Sequence, residues 1–152
     1  MATTLASSVN DPLPSSRSVR DVVPADLWDK QAGLLMRDYP YDSVMAARVL
    51  GQGYAYLLTA MAHRGEQLGL APSALVDIGV HMIILDTVAY AELCERYNGG
   101  HFLHHVPDIE FKNDGSVLKT AHRVAADGWE LDLPLWSDAA QCGPCHPGND
   151  SH

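Results

Sequence analysis

Nowhere does the chain carry an apolar run approaching the roughly 18 to 20 residues that cross a bilayer, and its first 20 residues lack the apolar centre of a secretory signal. These two shortages predict a cytoplasmic protein with no membrane partner. Basic residues are scarce as well: 10 Lys and Arg stand against 19 Asp and Glu, for a formal net charge of -9. The resulting field repels phosphate backbones and anionic lipid surfaces, so nucleic acid is not an expected partner. Cysteine is limited to Cys94, Cys142 and Cys145, which cannot all pair within one chain. In a cytoplasm, the closely spaced pair is more often a metal ligand set or a redox dithiol than a staple. No repeat is visible, and no alternating apolar and polar run is long enough to require a sheet.

The 152 residues, 47% of them apolar, suffice for one compact domain with a real core and are too few to expect two. Residues 1–20 are rich in Ser, Thr and Pro without a sustained apolar period, and read as a disordered arm, with the fold starting near Val22. Leu27, Trp28, Leu34 and Leu35 then recur at helical spacing between Pro24 and Tyr39. Asp42 or Ser43 can cap a second helix, carried by Val44, Ala47, Leu50, Tyr54 and Met61 and ended by Gly65 and Gly69. Within it, Gly51-Gln52-Gly53 has neither the preceding strand nor the third glycine of a dinucleotide loop, and reads as a point of close helix packing.

From Pro72 and Ser73, the segment Leu75 to Leu85 is apolar nearly all round except for Asp77 and His81, as expected of a buried helix. At Asp86 and Thr87 the chain either continues or restarts, with Tyr90, Leu93, Cys94 and Tyr97 at helical spacing until Gly99 and Gly100 stop it. His101 to Pro107 follows as an extended loop, and a last helix runs from Ser116 to about Gly128. The expected class is mainly α: a single compact helical domain over residues 21–135, with the arm before it and an irregular Cys/His-containing tail over 136–152.

The chemistry concentrates between Pro72 and Pro107. Asp77 and His81, four apart on one helix, share a face, so the carboxylate and the imidazole can bind one metal ion together, or the carboxylate can orient the ring. Asp77 lies a full turn inside the helix among Leu75, Val76, Ile78 and Val80, where an unpaired carboxylate is costly and needs a partner. The Gly99-Gly100 turn lets His101, His104 and His105 return towards His81. Adjacent residues of an extended loop point to opposite sides, so one of His104 and His105 faces the site and the other faces away; His101, after two glycines, is the weaker candidate. Two histidines with one carboxylate suit zinc or non-haem iron and leave coordination positions open. Tyr90 or the spare histidine is then a candidate acid or base. A continuous helix would put Asp86 about 140° away from His81, whereas a break at Asp86-Thr87 would free Tyr90 and Cys94 to turn inward. Cys94 itself reads first as a small buried apolar residue.

Cys142-Gly-Pro-Cys145-His146 matches two signatures, and both fail on context. As a thioredoxin-type dithiol it lacks the following helix, because Pro147 and Gly148 come at once. As a haem-attachment motif it lacks an export signal. The two thiols can still chelate zinc with His146 or His152 and one remote residue, form an incidental dithiol, or be inert.

The pattern of PS, Val76-Asp77, His81, ILDT, Tyr90, Cys94 and His104-His105-Val106-Pro107 resembles the core of the glycine-rich domain-containing protein-like family, over about a quarter of the chain. Members commonly carry a tryptophan where this chain has Val80, and an aromatic residue or second histidine where it has Ile83. The resemblance implies a mainly helical domain with Asp77, His81, Tyr90, Cys94, His104 and His105 as its polar signature, and a specialised member; it supplies no reaction.

The expected function is a small metal-dependent enzyme acting on a small molecule or peptide, as in a tailoring step of specialised metabolism. Asp77, His81, His104 and His105 are the candidate metal ligands, and Asp77, Tyr90 and His104 the candidate catalytic groups. Two alternatives stand beside it: a zinc-stabilised or metal-free protein-interaction module, and a metal-independent acid/base catalyst built on Asp77 and His81. An enzyme needs an open coordination position, whereas a structural zinc site is closed. Oligomeric state stays open.

Overall fold

The computed structural model describes residues 16–107, 109 and 114–137. The chain is mainly α, with five helices among the described residues, α1 (Ala25–Asp38), α2 (Ser43–Ala62), α3 (Ala74–Leu85), α4 (Thr87–Tyr97) and α5 (Ser116–Ala126), and short 3-10 turns at Val19–Asp21 and Leu133–Leu135. Among the described residues the extended pairing is a single bridge between Arg17 and Trp129.

Local chemistry sets the helix ends. Tyr39, which precedes Pro40, is extended and closes α1. The Asp42 carboxylate accepts the Met45 N–H at 2.8 Å and caps α2, and the Ser73 hydroxyl accepts the Val76 N–H at 3.1 Å and caps α3. The same hydroxyl donates to the Leu135 carbonyl at 2.6 Å, tying the last turn of the domain to the start of α3.

The central segment restarts rather than continues: α3 and α4 are bent by 99°. Asp86 sits at the break, where Lys30 reaches its carboxylate at 2.6 Å and Gln31 donates to it at 3.3 Å. The hydrogen bond from Lys30 is the main reason its carboxyl is held below the usual aspartate range. Asp86 therefore faces α1, away from His81. No single helix among the described residues is long and apolar enough to cross a membrane; α3 and α4 reach that length only together, across the bend.

The core lies between α2 and α3. Val49, Leu50, Leu57, Val76, Val80 and Ile83 are all essentially inaccessible. Gly53 and Gly79 face each other where the helices cross: a Cβ on Gly53 would lie 2.7 Å from the Gly79 carbonyl carbon, and one on Gly79 would lie 2.3 Å from the Val49 carbonyl oxygen. The Gly51-Gln52-Gly53 segment is thus a close helix contact. Gln52 is itself buried, accepting from the Trp136 indole at 2.7 Å and donating to the Glu130 carbonyl at 3.1 Å. Gln31 accepts from the Tyr54 hydroxyl at 2.5 Å.

Both sequence boundaries of the domain shift outward. The start near residues 21–22 is late: Val19 is buried, Arg17 pairs with Gly128 and Glu130 through its backbone, and its guanidinium lies 3.9 Å over the Trp129 ring. The boundary at residue 135 is early, because Trp136 is fully buried. The remainder of the proposed arm and the Cys142-Cys145-His146 motif lie outside the described residues.

At the C-terminus of α2, His63 meets Glu66 through Nδ1 at 2.6 Å and Asp127 through Nε2 at 2.9 Å, joining α2 to the end of α5. Its hydrogen bonds to Asp127 and then to Glu66 raise its pKa. A raised folded-state value means that His63 contributes stability fully below its unfolded pKa of about 6.5, and that the contribution fades as pH rises through the folded value. The melting temperature of His63→Gln should therefore fall furthest below wild type at or below about pH 6.5 and approach it as pH rises through the raised folded-state value. A deficit that grows with pH would contradict this role.

Candidate metal centre

Asp77, His81 and His105 converge on one point. Asp77 lies in the first turn of α3, its N–H bonded to the Ser73 carbonyl at 2.8 Å, and is held there by the apolar residues that bury that helix on either side. His81, one turn later, places Nε2 at 3.3 Å from Asp77 Oδ2. His105 arrives from the loop after α4 and places Nε2 at 2.9 Å from Asp77 Oδ1. The two imidazoles meet edge to face, with centroids 5.1 Å apart. One ligand atom from each of the three residues lies within 4.8 Å of the others. Asp77 and His105 are mostly buried, at 17% and 15% side-chain exposure, whereas His81 is at 44%. The cluster thus has a closed side and an open one.

Asp77 Oδ1 and His105 Nε2 are buried and make no hydrogen bond, although they are 2.9 Å apart. Their separation is that of an ion pair, but the ring N–H direction and the carboxylate are not aligned as donor and acceptor. The missing hydrogen bond decides how the contact is read. Buried polar atoms are nearly always satisfied, and these two face each other at ion-pair distance without a hydrogen bond. Among the described residues one other buried side-chain atom, Asn98 Oδ1, is in this condition.

The loop delivering His105 turns on Gly99 and Gly100, whose φ values of +61° and +78° belong to the left-handed region. Buried Asn98 donates to the His101 carbonyl at 2.7 Å, and Tyr90 donates to the Leu103 carbonyl at 2.5 Å. From there the chain alternates. Leu103 and His105 are partly buried, while Phe102, His104 and Val106 are exposed.

Of the sequence candidates, Asp77, His81 and His105 are brought together. His104 is not: it is exposed on the opposite face of the loop, against the Phe102 ring with centroids 5.1 Å apart. The alternation of an extended chain permits only one of two adjacent histidines to face Asp77, and His105 is the one that does. His101 is exposed outside the cluster. Tyr90 differs from its expected role as an acid: it is 1% exposed, and its hydroxyl proton is committed to the Leu103 carbonyl. Burial, with Cys94 beside it, pushes its pKa well above the usual tyrosine range. Cys94 is a free, buried thiol in the core.

Tyr56 went unnoticed in the sequence because it is one of several aromatic and aliphatic residues on α2. Its hydroxyl donates to the Leu70 carbonyl at 3.4 Å, and its pKa is pushed up to about 12, by burial first and then by the charge of Asp77. Compared with known protein families, curated proteins and solved structures, the chain matches none of them.

Proposed function

We propose that the chain is a small metal-dependent enzyme in which Asp77, His81 and His105 hold zinc or iron, acting on a small molecule or peptide. The observation that carries this reading is the buried, 2.9 Å contact of Asp77 Oδ1 with His105 Nε2 that is no hydrogen bond. Both atoms would be satisfied if they served as ligands of a cation. The donor set fits: imidazole nitrogen and carboxylate oxygen suit zinc and iron, and three protein ligands leave positions for a substrate. Half-exposed His81 puts those positions on the accessible side. A metal so held supplies Lewis acidity towards a substrate carbonyl or a water.

This arrangement favours the enzyme over a structural zinc module, since a closed zinc site needs four protein ligands and three converge here among the described residues. The resemblance to the glycine-rich domain-containing protein-like family stands as a proposal beside the cluster. Three of the shared polar residues form it, and a fourth, Tyr90, anchors the loop that completes it.

Elemental analysis of untagged protein purified without chelators tests the proposal. About one equivalent of zinc or iron per chain is expected, and Cys142→Ser with Cys145→Ser should retain it. Metal-free protein that takes up neither ion on anaerobic reconstitution would overturn the reading. Loss of the metal in the cysteine variant would move the site to the tail.

A further inference from the structure

Two histidines stand side by side at the end of one loop, and only His105 reaches Asp77. An extended chain alternates its side chains, so a slip of one residue, about 3.3 Å, would exchange His105 for His104 at the site. Nothing in the two side chains distinguishes them as ligands. The choice is made by whatever fixes the loop's register.

We infer that Tyr90 makes that choice: its buried hydroxyl, bonded to the Leu103 carbonyl, sets the register in which His105 rather than His104 meets Asp77, making Tyr90 a positioning residue for the proposed metal centre. The inference rests on the reading of Asp77, His81 and His105 as metal ligands. Tyr90 is suited to the task because its ring is fixed. It is 1% exposed in the core, and the Phe102 ring meets it edge to face with centroids 5.1 Å apart. Its hydroxyl meets the loop at 2.5 Å, at the carbonyl two residues before His105. A slipped loop would take the Leu103 carbonyl away from this donor and carry Phe102 off the ring.

Asn98 supplies the second tie, at His101, but that tie lies closer to the Gly99-Gly100 turn, where the backbone can re-adjust. Beyond Leu103, the contact of His105 with Asp77 is not a hydrogen bond. Among the described residues, the Tyr90 bond is thus the last hydrogen bond before the ligand.

The experiment is titration with Co(II), followed by its visible d–d absorption, on the full chain and on His104→Ala, His105→Ala, Tyr90→Phe and the two double variants that join Tyr90→Phe to each histidine change. In wild type, His105→Ala should weaken Co(II) binding severely and His104→Ala by less than about twofold. Tyr90→Phe, which keeps the ring and removes the bond, should weaken binding about tenfold, the lower end for groups that orient ligands. In its background the two histidine changes should become comparable, because either ring can then fill the position.

Full preference for His105 in the Tyr90→Phe background would overturn the inference while leaving the metal centre intact. So would unchanged affinity in Tyr90→Phe. Absence of Co(II) binding by the wild-type chain would instead refute the metal reading itself. Circular dichroism establishes that each variant is folded; if Tyr90→Phe is not, Asn98→Ala, which leaves the Tyr90 bond in place, should retain the preference for His105, and loss of that preference would overturn the inference.

Discussion

Gly79→Ala should destabilise the fold by about 3 kcal/mol, at the upper end of the cost of overpacking a core, and Gly79→Leu should leave the chain unfolded at room temperature. In an exposed helix the same glycine-to-alanine change would stabilise by about 0.5–1 kcal/mol, so the expected sign is opposite to helix propensity. The reason is that the new Cβ meets backbone. It would lie 2.3 Å from the Val49 carbonyl oxygen and 3.1 Å from its carbon, and neither atom can rotate away as a side chain can. Relief requires α2 and α3 to separate by about 1 Å, enough to forfeit a quarter to a half of the dispersion well at each contact along the seam. Leu50, Leu57, Val76, Val80 and Ile83, all essentially inaccessible, would lose contacts together. Gly33 on α1 is the internal control, since a Cβ there meets nothing within 4 Å, and Gly33→Ala should be neutral or slightly stabilising. Urea denaturation of the three variants beside wild type makes the comparison. Equal stability of Gly79→Ala and wild type would mean that the two helices are not in backbone contact.

The crossing at Gly53 and Gly79 also shows which parts of the structure the sequence discloses. That α2 is a helix follows from Asp42 and the recurrence of Val44, Ala47, Leu50 and Tyr54, and the missing third glycine directs Gly51-Gln52-Gly53 to packing. The partner across the crossing is a long-range fact that no local pattern carries. Asp86 shows the same boundary more sharply. Apolar spacing on both sides is compatible with a continuous helix or a restart, and the Asp86 at that restart is held by Lys30 and Gln31, more than 50 residues earlier.

Among the candidate ligands, Asp77 and His81 follow from a spacing of four on one helix. That one of His104 and His105 turns away follows from extended-chain alternation, but which one does so is carried by no local pattern; the proposed determinant of that choice is the Tyr90 bond with the Leu103 carbonyl. Val19 and Trp136 belong to short apolar stretches, Val19 to Val23 and Leu131 to Trp136, broken by charged residues and Pro134, too short to carry a helical period that would reveal that they complete the core. His63 is equally quiet, a single histidine after the last apolar turn of α2; the nearest local sign is Glu66 three residues on, while Asp127 lies 64 residues away.

Asp77→Asn should abolish metal-dependent stabilisation without harming the metal-free fold. The amide has nearly the volume of the carboxylate, so packing around the 17%-exposed side chain is preserved. What disappears is the negative charge facing both imidazoles, at 3.3 Å from His81 and 2.9 Å from His105. A neutral amide oxygen is a poor ligand for a divalent ion, so zinc affinity should fall by more than the roughly 100-fold that marks the loss of a group merely orienting a ligand. For the metal-free protein the expectation has the other sign. A mostly buried carboxylate whose Oδ1 lacks a hydrogen bond is a burden to the fold, and an amide removes the charge, so stability should stay level or rise. Thermal unfolding with and without zinc separates the two effects. At a free zinc concentration 100 times the dissociation constant, linkage should raise wild-type stability by about 2.7 kcal/mol. Asp77→Asn at that concentration should show almost none of the increase. Zinc stabilisation of the variant equal to wild type would place the ion elsewhere. If the metal-free variant were instead markedly less stable than wild type, Asp77 would be acting as an ion-pair partner of its two histidines in its own right, and the acid/base pair without metal would become the better account of the cluster.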